Sequence, residues 1–252
     1  MPASLDEAAE ILAGARRAVA FTGAGISVDS GIPDFRSAQG LWARFDPMEY
    51  AHIDAFRRDP WRIWEMLREM RKLTGGARPN AGHLALAELE RLGVLAAIVT
   101  QNVDALHQRA GNARVIEFHG NSLALVCIWC GNRYPAEEYA GLPDDGPPPQ
   151  YVCGEVLKPS VVFFGEPIPP QALTDAWDAA KRCDAMLVVG TSAVVYPAAE
   201  LPALARRAGA KVIEVNLDET PLTGTLADVT VLGSSTKVLP ELVALLRARR
   251  AH

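Results

Sequence analysis

The sequence predicts an α/β fold, a parallel sheet with helices on both faces, interrupted by one small inserted module. Three observations predict it. Short apolar runs alternate with amphipathic helical stretches, six of those runs end in small or polar residues, and one stretch bearing cysteines and prolines breaks the rhythm. Apolar runs set between helices must be buried on both faces, which is the environment of a parallel sheet. The 252 residues suffice for one large domain with an insert, and at this length folding buries roughly 70–75% of the unfolded surface.

The chain opens with a helix, because Ser4-Leu5-Asp6-Glu7 has the form of a capping box and Ile11 and Leu12 continue an apolar face. Ala18 to Phe21 reads as a buried strand that breaks into the tight turn Thr22-Gly23-Ala24-Gly25. Residues 27–50 lack periodicity yet carry Phe35, Leu41, Trp42 and Phe45, so they read as a loop that packs on something. Helices are expected over 60–73 behind Asp59 and over 81–92 behind Asn80. A strand over 95–99 releases Thr100-Gln101-Asn102, and one over 115–118 releases His119-Gly120-Asn121. The inserted module, 122–159, holds Cys127, Cys130, Cys153 and the proline-rich stretch 141–150, and separates 1–121 from 160–252 of the large domain. Beyond it, helices over 170–182, 197–208 and 237–249 alternate with strands over 185–189, 212–215 and 229–232. Those strands end in Gly190-Thr191-Ser192, Asn216 and Gly233-Ser234-Ser235.

Composition excludes several classes of function. A formal charge of −5 with no clustered basic face argues against a dedicated nucleic-acid binder. Arg247, Arg249 and Arg250 instead suit the C-terminal end of a last helix. No run approaches the roughly 18 apolar residues of a membrane span. The first ten residues hold Asp6, Glu7 and Glu10, unlike a signal peptide, so a cytoplasmic location is expected. Four cysteines are too few for a disulfide framework.

In a parallel sheet, ligands bind outside the carboxyl ends of the strands, where these turns lie. Gly23-Ala24-Gly25 suggests a backbone that approaches a phosphate, with its amides as donors. The dinucleotide fingerprint then needs glycine where Val28 stands, and the acidic ribose ligand due about 20 residues on has only Asp46, inside the loop. An ordinary hydride-transferring enzyme is therefore disfavoured, and no G-K-[ST] follows for a Walker loop. Among the polar candidates, His119 stands at a strand end before Gly120, where a neutral imidazole can act as a base. His52, His83 and His107 read as structural.

Taken together, Gly23-Ala24-Gly25-Ile26-Ser27, Gly31-Ile32-Pro33-Asp34-Phe35-Arg36-Ser37, Gln101-Asn102-Val103-Asp104, Phe118-His119-Gly120, Phe164-Gly165-Glu166 and Gly190-Thr191-Ser192 resemble the bacterial-type sirtuins, NAD-dependent protein deacylases. The blocks stand in the family's order across nearly the whole chain, and the resemblance implies a Rossmann-like large domain with a small inserted zinc-ribbon-like module. The resemblance implies NAD as co-substrate, acyl-lysine proteins or peptides as partners, and nicotinamide, O-acyl-ADP-ribose and free lysine as products, the acyl group being acetyl. It implies His119 as general base with Asn102 beside it. It places Gly23, Ala24, Gly25, Ile32, Asp34, Phe35 and Arg36 against NAD, Gln101, Asn102 and Asp104 at the nicotinamide ribose, and Gly190, Thr191, Ser192, Asn216 and Ser235 at the adenosine half. Val162 and Phe163 would flank the lysine tunnel. The peptide would lie as a strand between Phe164-Gly165-Glu166 and Val194-Val195-Tyr196. Mono-ADP-ribosyl transfer from the same site, or silent NAD sensing, are the alternatives.

Two departures from the family pattern matter. A family zinc ribbon presents two CxxC pairs, whereas here Gln150 stands where the third cysteine belongs, before Cys153. A neutral amide is a poor zinc donor, so weak or absent zinc is expected, with Cys183 left as a core residue. Trp64-Glu65 and Arg71 resemble the desuccinylase-like branch, but Leu67 and Met70 replace its Tyr and Arg. A carboxylate in the tunnel would be buried unpaired unless Arg68 or Arg71 serves from a shifted register, so neutral acyl groups are expected over succinyl.

Overall fold

The computed structural model describes residues 3–38, 40–139 and 146–250. Its strands are β1 (Ala18–Thr22), β2 (Leu95–Thr100), β3 (Val115–Glu117), β4 (Gly120–Cys127), β5 (Arg133–Pro135), β6 (Leu157–Val161), β7 (Ala185–Val189), β8 (Lys211–Asn216) and β9 (Val229–Leu232). Six of them form one sheet in the order β3-β2-β1-β7-β8-β9, and every pairing in it is parallel. The expected Rossmann-like sheet is thus present. β4, β5 and β6 make a separate antiparallel sheet in the order β5-β4-β6.

The helices are α1 (Ala3–Gly14), α2 (Pro47–Tyr50), α3 (Ile53–Arg58), α4 (Pro60–Gly75), α5 (Ala81–Arg91), α6 (Leu106–Ala110), α7 (Pro170–Arg182), α8 (Glu200–Arg207) and α9 (Ser235–Arg250). Successive strand residues point to opposite faces, so β1 feeds two cores. Ala18 and Ala20 pack under α1, α5 and α9 with Leu12, Leu86 and Leu242. Val19 and Phe21 pack under α7 and α8 with Ala180 and Leu201. Every β1 and β7 side chain is buried, and fully burying one of their larger side chains contributes about 1.5–3 kcal/mol. A third core joins Phe56, Ile63 and Trp64 of α3 and α4 to Leu125, Leu157 and Phe163, with the Trp64 indole donating to the Leu157 carbonyl at 2.8 Å.

Asp59 and Asn80 cap α4 and α5 as expected, accepting from Arg62 N and from Gly82 and His83 N. Other boundaries differ. Ser4 lies inside α1 rather than before it. The stretch 27–50 is no featureless loop, since it holds 3₁₀ turns over Ala24–Ser30 and Leu41–Ala43 and then α2. α8 begins at Glu200, leaving the segment after Ser192 irregular. Residues 141–145 of the proline-rich stretch lie outside the described residues. Among the described residues, no helix is long and apolar enough to cross a membrane.

Candidate active site

Strand order reverses between β1 and β7: the chain runs outward from β1 through β2 to β3, then returns to β7 and runs outward through β8 to β9. Such a reversal opens a crevice at the strand ends. Gly23 follows β1 there and Gly190 follows β7. A cavity of about 680 Å³ lies at that point, within the usual range for small-molecule sites.

The two turns touch. A Cβ on Gly23 would lie 2.7 Å from the Thr191 Cβ, and one on Gly25 would lie 2.8 Å from the Gly190 Cα. The amides of Gly23 and Gly25 donate to the carbonyls of Val189 and Gly190 at 3.1 and 2.8 Å. Both amides are thus engaged by the protein's own backbone, a contact the sequence alone does not foresee. The glycines are required because backbone packs on backbone at the switch point.

Polar side chains cross the strand ends in a chain of hydrogen bonds. Gln101 Nε2 donates to Thr191 Oγ1 at 2.8 Å, and Asn216 Nδ2 donates to the Thr191 carbonyl at 3.0 Å. Asn102, 7% exposed, donates to the Gly23 carbonyl and to Ser27 Oγ, both at 3.1 Å. Ser27 in turn donates to Asp104 Oδ2 at 2.7 Å.

His119 is half-buried at the end of β3. Its Nδ1 lies 3.2 Å from the Gln101 carbonyl oxygen. A carbonyl only accepts, so Nδ1 carries the proton and Nε2 keeps a lone pair. Burial pushes the imidazole pKa below its ordinary 6.5, only partly offset by that hydrogen bond. The ring is a neutral base at pH 7. Gly120 follows in the left-handed region at φ +73°, where a Cβ would run into the Ser160 carbonyl oxygen. That close approach joins the small sheet directly to the residue after His119.

Most of the candidates meet in the cavity: Gly23, Ala24 and Gly25; Asp34, Phe35 and Arg36; Gln101, Asn102 and His119; Val162 to Glu166; Gly190, Thr191 and Ser192; Val195 and Tyr196; and Asn216. Phe35 stacks on Trp42, whose ring lies 6.4 Å from that of Phe164, so aromatic contacts link the loop 27–50 to the far wall. Four candidates lie outside the lining. Ile32 is buried against Ala77 and Leu106, Asp104 is engaged by Ser27 and the Leu106 amide, Ser235 is buried at the start of α9 beside Gly82, and Val194 projects outward, 44% exposed. Sequence reading misses Ser27, the hub between Asn102 and Asp104, and the residues Met66 and Leu125 that complete the wall holding Leu67 and Met70. Nothing in local spacing signals either, since both arise where distant segments meet.

The sulfurs of Cys127, Cys130 and Cys153 lie within 4.8 Å of one another, with Cys127 and Cys153 at 3.8 Å. Thiolates at about 2.3 Å from a tetrahedral zinc lie about 3.8 Å apart, so the trio fits three corners of a zinc site. Gln150 is exposed, and among the described residues no fourth Cys, His, Asp or Glu joins the cluster. Cys183 is buried in the core, as expected, and burial pushes its thiol up to about 11.

Comparison with known proteins bears on this geometry. Residues 23–197 match the model of the Sir2 family. The chain is 48% identical, over an alignment of 255 positions spanning 100% of both chains, to NAD-dependent protein deacylase 2 of Archaeoglobus fulgidus. It is 48% identical over 244 residues to the NAD-dependent protein deacylase of Thermococcus kodakarensis, spanning 95% of this chain and 94% of that one. It superposes on a Sir2 homologue in complex with NAD with a TM-score of 0.90 at 43% identity, over 97% and 94% of the two chains. A Sir2 protein bound to a myristoylated histone peptide gives 0.85 at 42% identity, over 100% and 99%. The match runs from the glycine turn after β1 through His119 to the segment after β7, the same stretches that build the crevice, and the chain belongs to the Sir2 family, the sirtuins.

Proposed function

We propose that this protein removes acyl groups, acetyl foremost, from protein lysines at the expense of NAD, yielding nicotinamide, O-acyl-ADP-ribose and free lysine. The observation that carries the reading is His119, whose Nδ1 is tied to the Gln101 carbonyl and whose ring faces a cavity shared with the glycine turn and the segment 162–166. NAD supplies a ribose carbon that becomes electrophilic as nicotinamide leaves and can take the acyl oxygen. The rest falls to the chain. Gln101, Thr191, Ser192 and Asn216 offer polar groups for the nucleotide at the strand ends, and the aromatic rings of Phe35, Trp42 and Phe164 exclude water, which a weak acyl nucleophile requires. His119 takes a proton from a ribose hydroxyl at Nε2, freeing that oxygen to attack the former amide carbon; the C–N bond then breaks, the lysine nitrogen leaving as the amine with a proton, and one water adds at that carbon to complete O-acyl-ADP-ribose. Val195 and Tyr196 on one side and Phe164 to Glu166 on the other leave a cleft for extended peptide backbone. The acidic balance of the chain supports protein partners over nucleic acid.

Nicotinamide release from NAD, followed with and without acetyl-lysine peptide, tests this. Release that depends on the peptide is expected, with His119→Ala lowering turnover by roughly 10²–10⁴. Label from NAD retained on protein would instead mark ADP-ribosyl transfer, and binding of NAD with no turnover would mark a sensor.

A further inference from the structure

We propose that the buried Lys158 and the half-buried Glu166 form a clamp that sets the segment 162–166 for the acyl-lysine, making Lys158 a positioning residue; this rests on the deacylase reading above. Lys158, in β6, is 2% exposed and lies behind the cavity wall rather than on it. Its ammonium meets Glu166 Oε2 at 3.0 Å, the Pro159 carbonyl at 3.1 Å and the Val161 carbonyl at 2.6 Å. It also sits over the Phe163 ring, 4.6 Å from the centroid. An ammonium has three donors, and three acceptors surround it. The same Glu166 oxygen accepts the Phe163 amide at 2.8 Å. The carboxylate therefore ties the two sides of the turn closed by Gly165, at φ +82°.

The turn is anchored outward as well. The Val162 amide donates to the His119 carbonyl at 2.8 Å, and Phe164 exchanges hydrogen bonds with Ala51 and Ile53 at 2.8 and 2.9 Å. Lys158 thus acts through Val161 and Glu166 on a wall bonded to the residue that carries the base. A buried cation is costly unless fully partnered, and an apolar side chain would pack there without that cost. What the pair adds is a single geometry for the turn. Removing the cation leaves the Glu166 carboxylate uncompensated and free to swing toward water, taking the Phe163 amide's partner with it.

The test uses the full chain and Lys158→Met. Calorimetry reports NAD affinity, and steady-state kinetics report KM and kcat for an acetyl-lysine peptide. Displacing a substrate contact by about 1 Å costs about 10²-fold, so kcat/KM for the peptide should fall roughly 10–100-fold with NAD affinity within twofold, and Lys158→Arg should recover most of it. Peptide kinetics within twofold of the unsubstituted chain, or NAD affinity lost in equal measure, would overturn the proposal. Should Lys158→Met fail to fold, the double variant with Glu166→Gln leaves no orphaned carboxylate; a raised peptide KM supports the clamp and normal kinetics refute it. If the unsubstituted chain binds acetyl-peptide but releases no nicotinamide, the deacylase reading fails, and peptide affinity across the same variants still judges the clamp.

Discussion

His119 shows how one residue combines a readable identity with an unreadable setting. Its place between an apolar run and Gly120 marks a strand end, and that much is local. The proton on Nδ1 is not, because the Gln101 carbonyl that holds it comes from the neighbouring strand, 18 residues earlier. Burial lowers the pKa from 6.5, and a base must be neutral to act. The acidic limb of kcat/KM against pH should therefore fall below pH 6.5, with activity level from neutrality down to that point. A limb centred above 6.5 would mean that the titrating base is another group. The glycine turn was legible in the same partial way. Gly23 and Gly25 announce a close approach, but the approaching partner is Gly190-Thr191, about 165 residues downstream, and only the sheet order of the folded chain brings it there.

At the scale of elements, helices and strands followed from periodicity, while contacts between them did not. The period of α4 marks an amphipathic helix, yet nothing in it tells that Trp64 reaches the Leu157 carbonyl or that Leu67 and Met70 wall the cavity. Arg68 and Arg71 both line the cavity, but Arg68 is buried with its guanidinium already donating to the carbonyls of Gly146 and Pro147 at 2.5 and 3.1 Å. With leucine and methionine at the two key positions of this wall, acetyl-peptide should turn over at least tenfold faster than the same peptide succinylated, since an unpaired buried carboxylate costs several kcal/mol. Faster desuccinylation would reject this, and loss of it in Arg71→Met would name the cation responsible. α5 and α6 meet through two imidazoles, His83 and His107, with ring centroids 5.0 Å apart. His107 Nε2 pairs with Thr22 Oγ1 at 2.9 Å, while its Nδ1 is buried with no hydrogen-bond partner among the described residues. Burial lowers both pKa values, to about 4 for His83, against an opposing pull from Asp104, and to about 3 for His107, where His83 adds to the effect. Below pH 6.5 the unfolded chain takes up protons that the folded chain refuses. The stability from keeping these rings neutral is thus full above 6.5 and declines as pH falls toward about 4 and then 3, at up to about 1.4 kcal/mol per pH unit for each ring. The urea midpoint followed across that window should slope downward, and His107→Gln should flatten the slope.

The whole molecule divides its labour between two sheets that share one cavity. The strand ends of the parallel sheet contribute the glycine turns, Gln101, Thr191 and Asn216, whereas the antiparallel sheet contributes Leu125, Pro159 and Val161 to the opposite wall. The cysteine spacing marked the smaller sheet as a separate module; its shared core with α3 and α4 could not be read from the sequence, because those helices precede it by some 50 residues and show only an ordinary apolar face. Cys127 ends β4, while Cys130 and Cys153 sit on the turns beyond the far ends of β4 and β6 from His119. Disturbing that cluster should loosen the acyl wall and leave the strand ends of the large sheet in place. Cys130→Ser is therefore expected to raise the KM for acetyl-peptide by about 10-fold, as a small displacement of a substrate wall would, with the Kd for NAD within twofold of the unsubstituted chain. Gln150→Cys works in the opposite direction: a fourth thiolate completes the tetrahedron, so metal content after dialysis against a chelator should rise toward one zinc per chain. Equal losses of NAD and peptide affinity in Cys130→Ser would show that the two sheets unfold as one unit and that this division of labour does not hold.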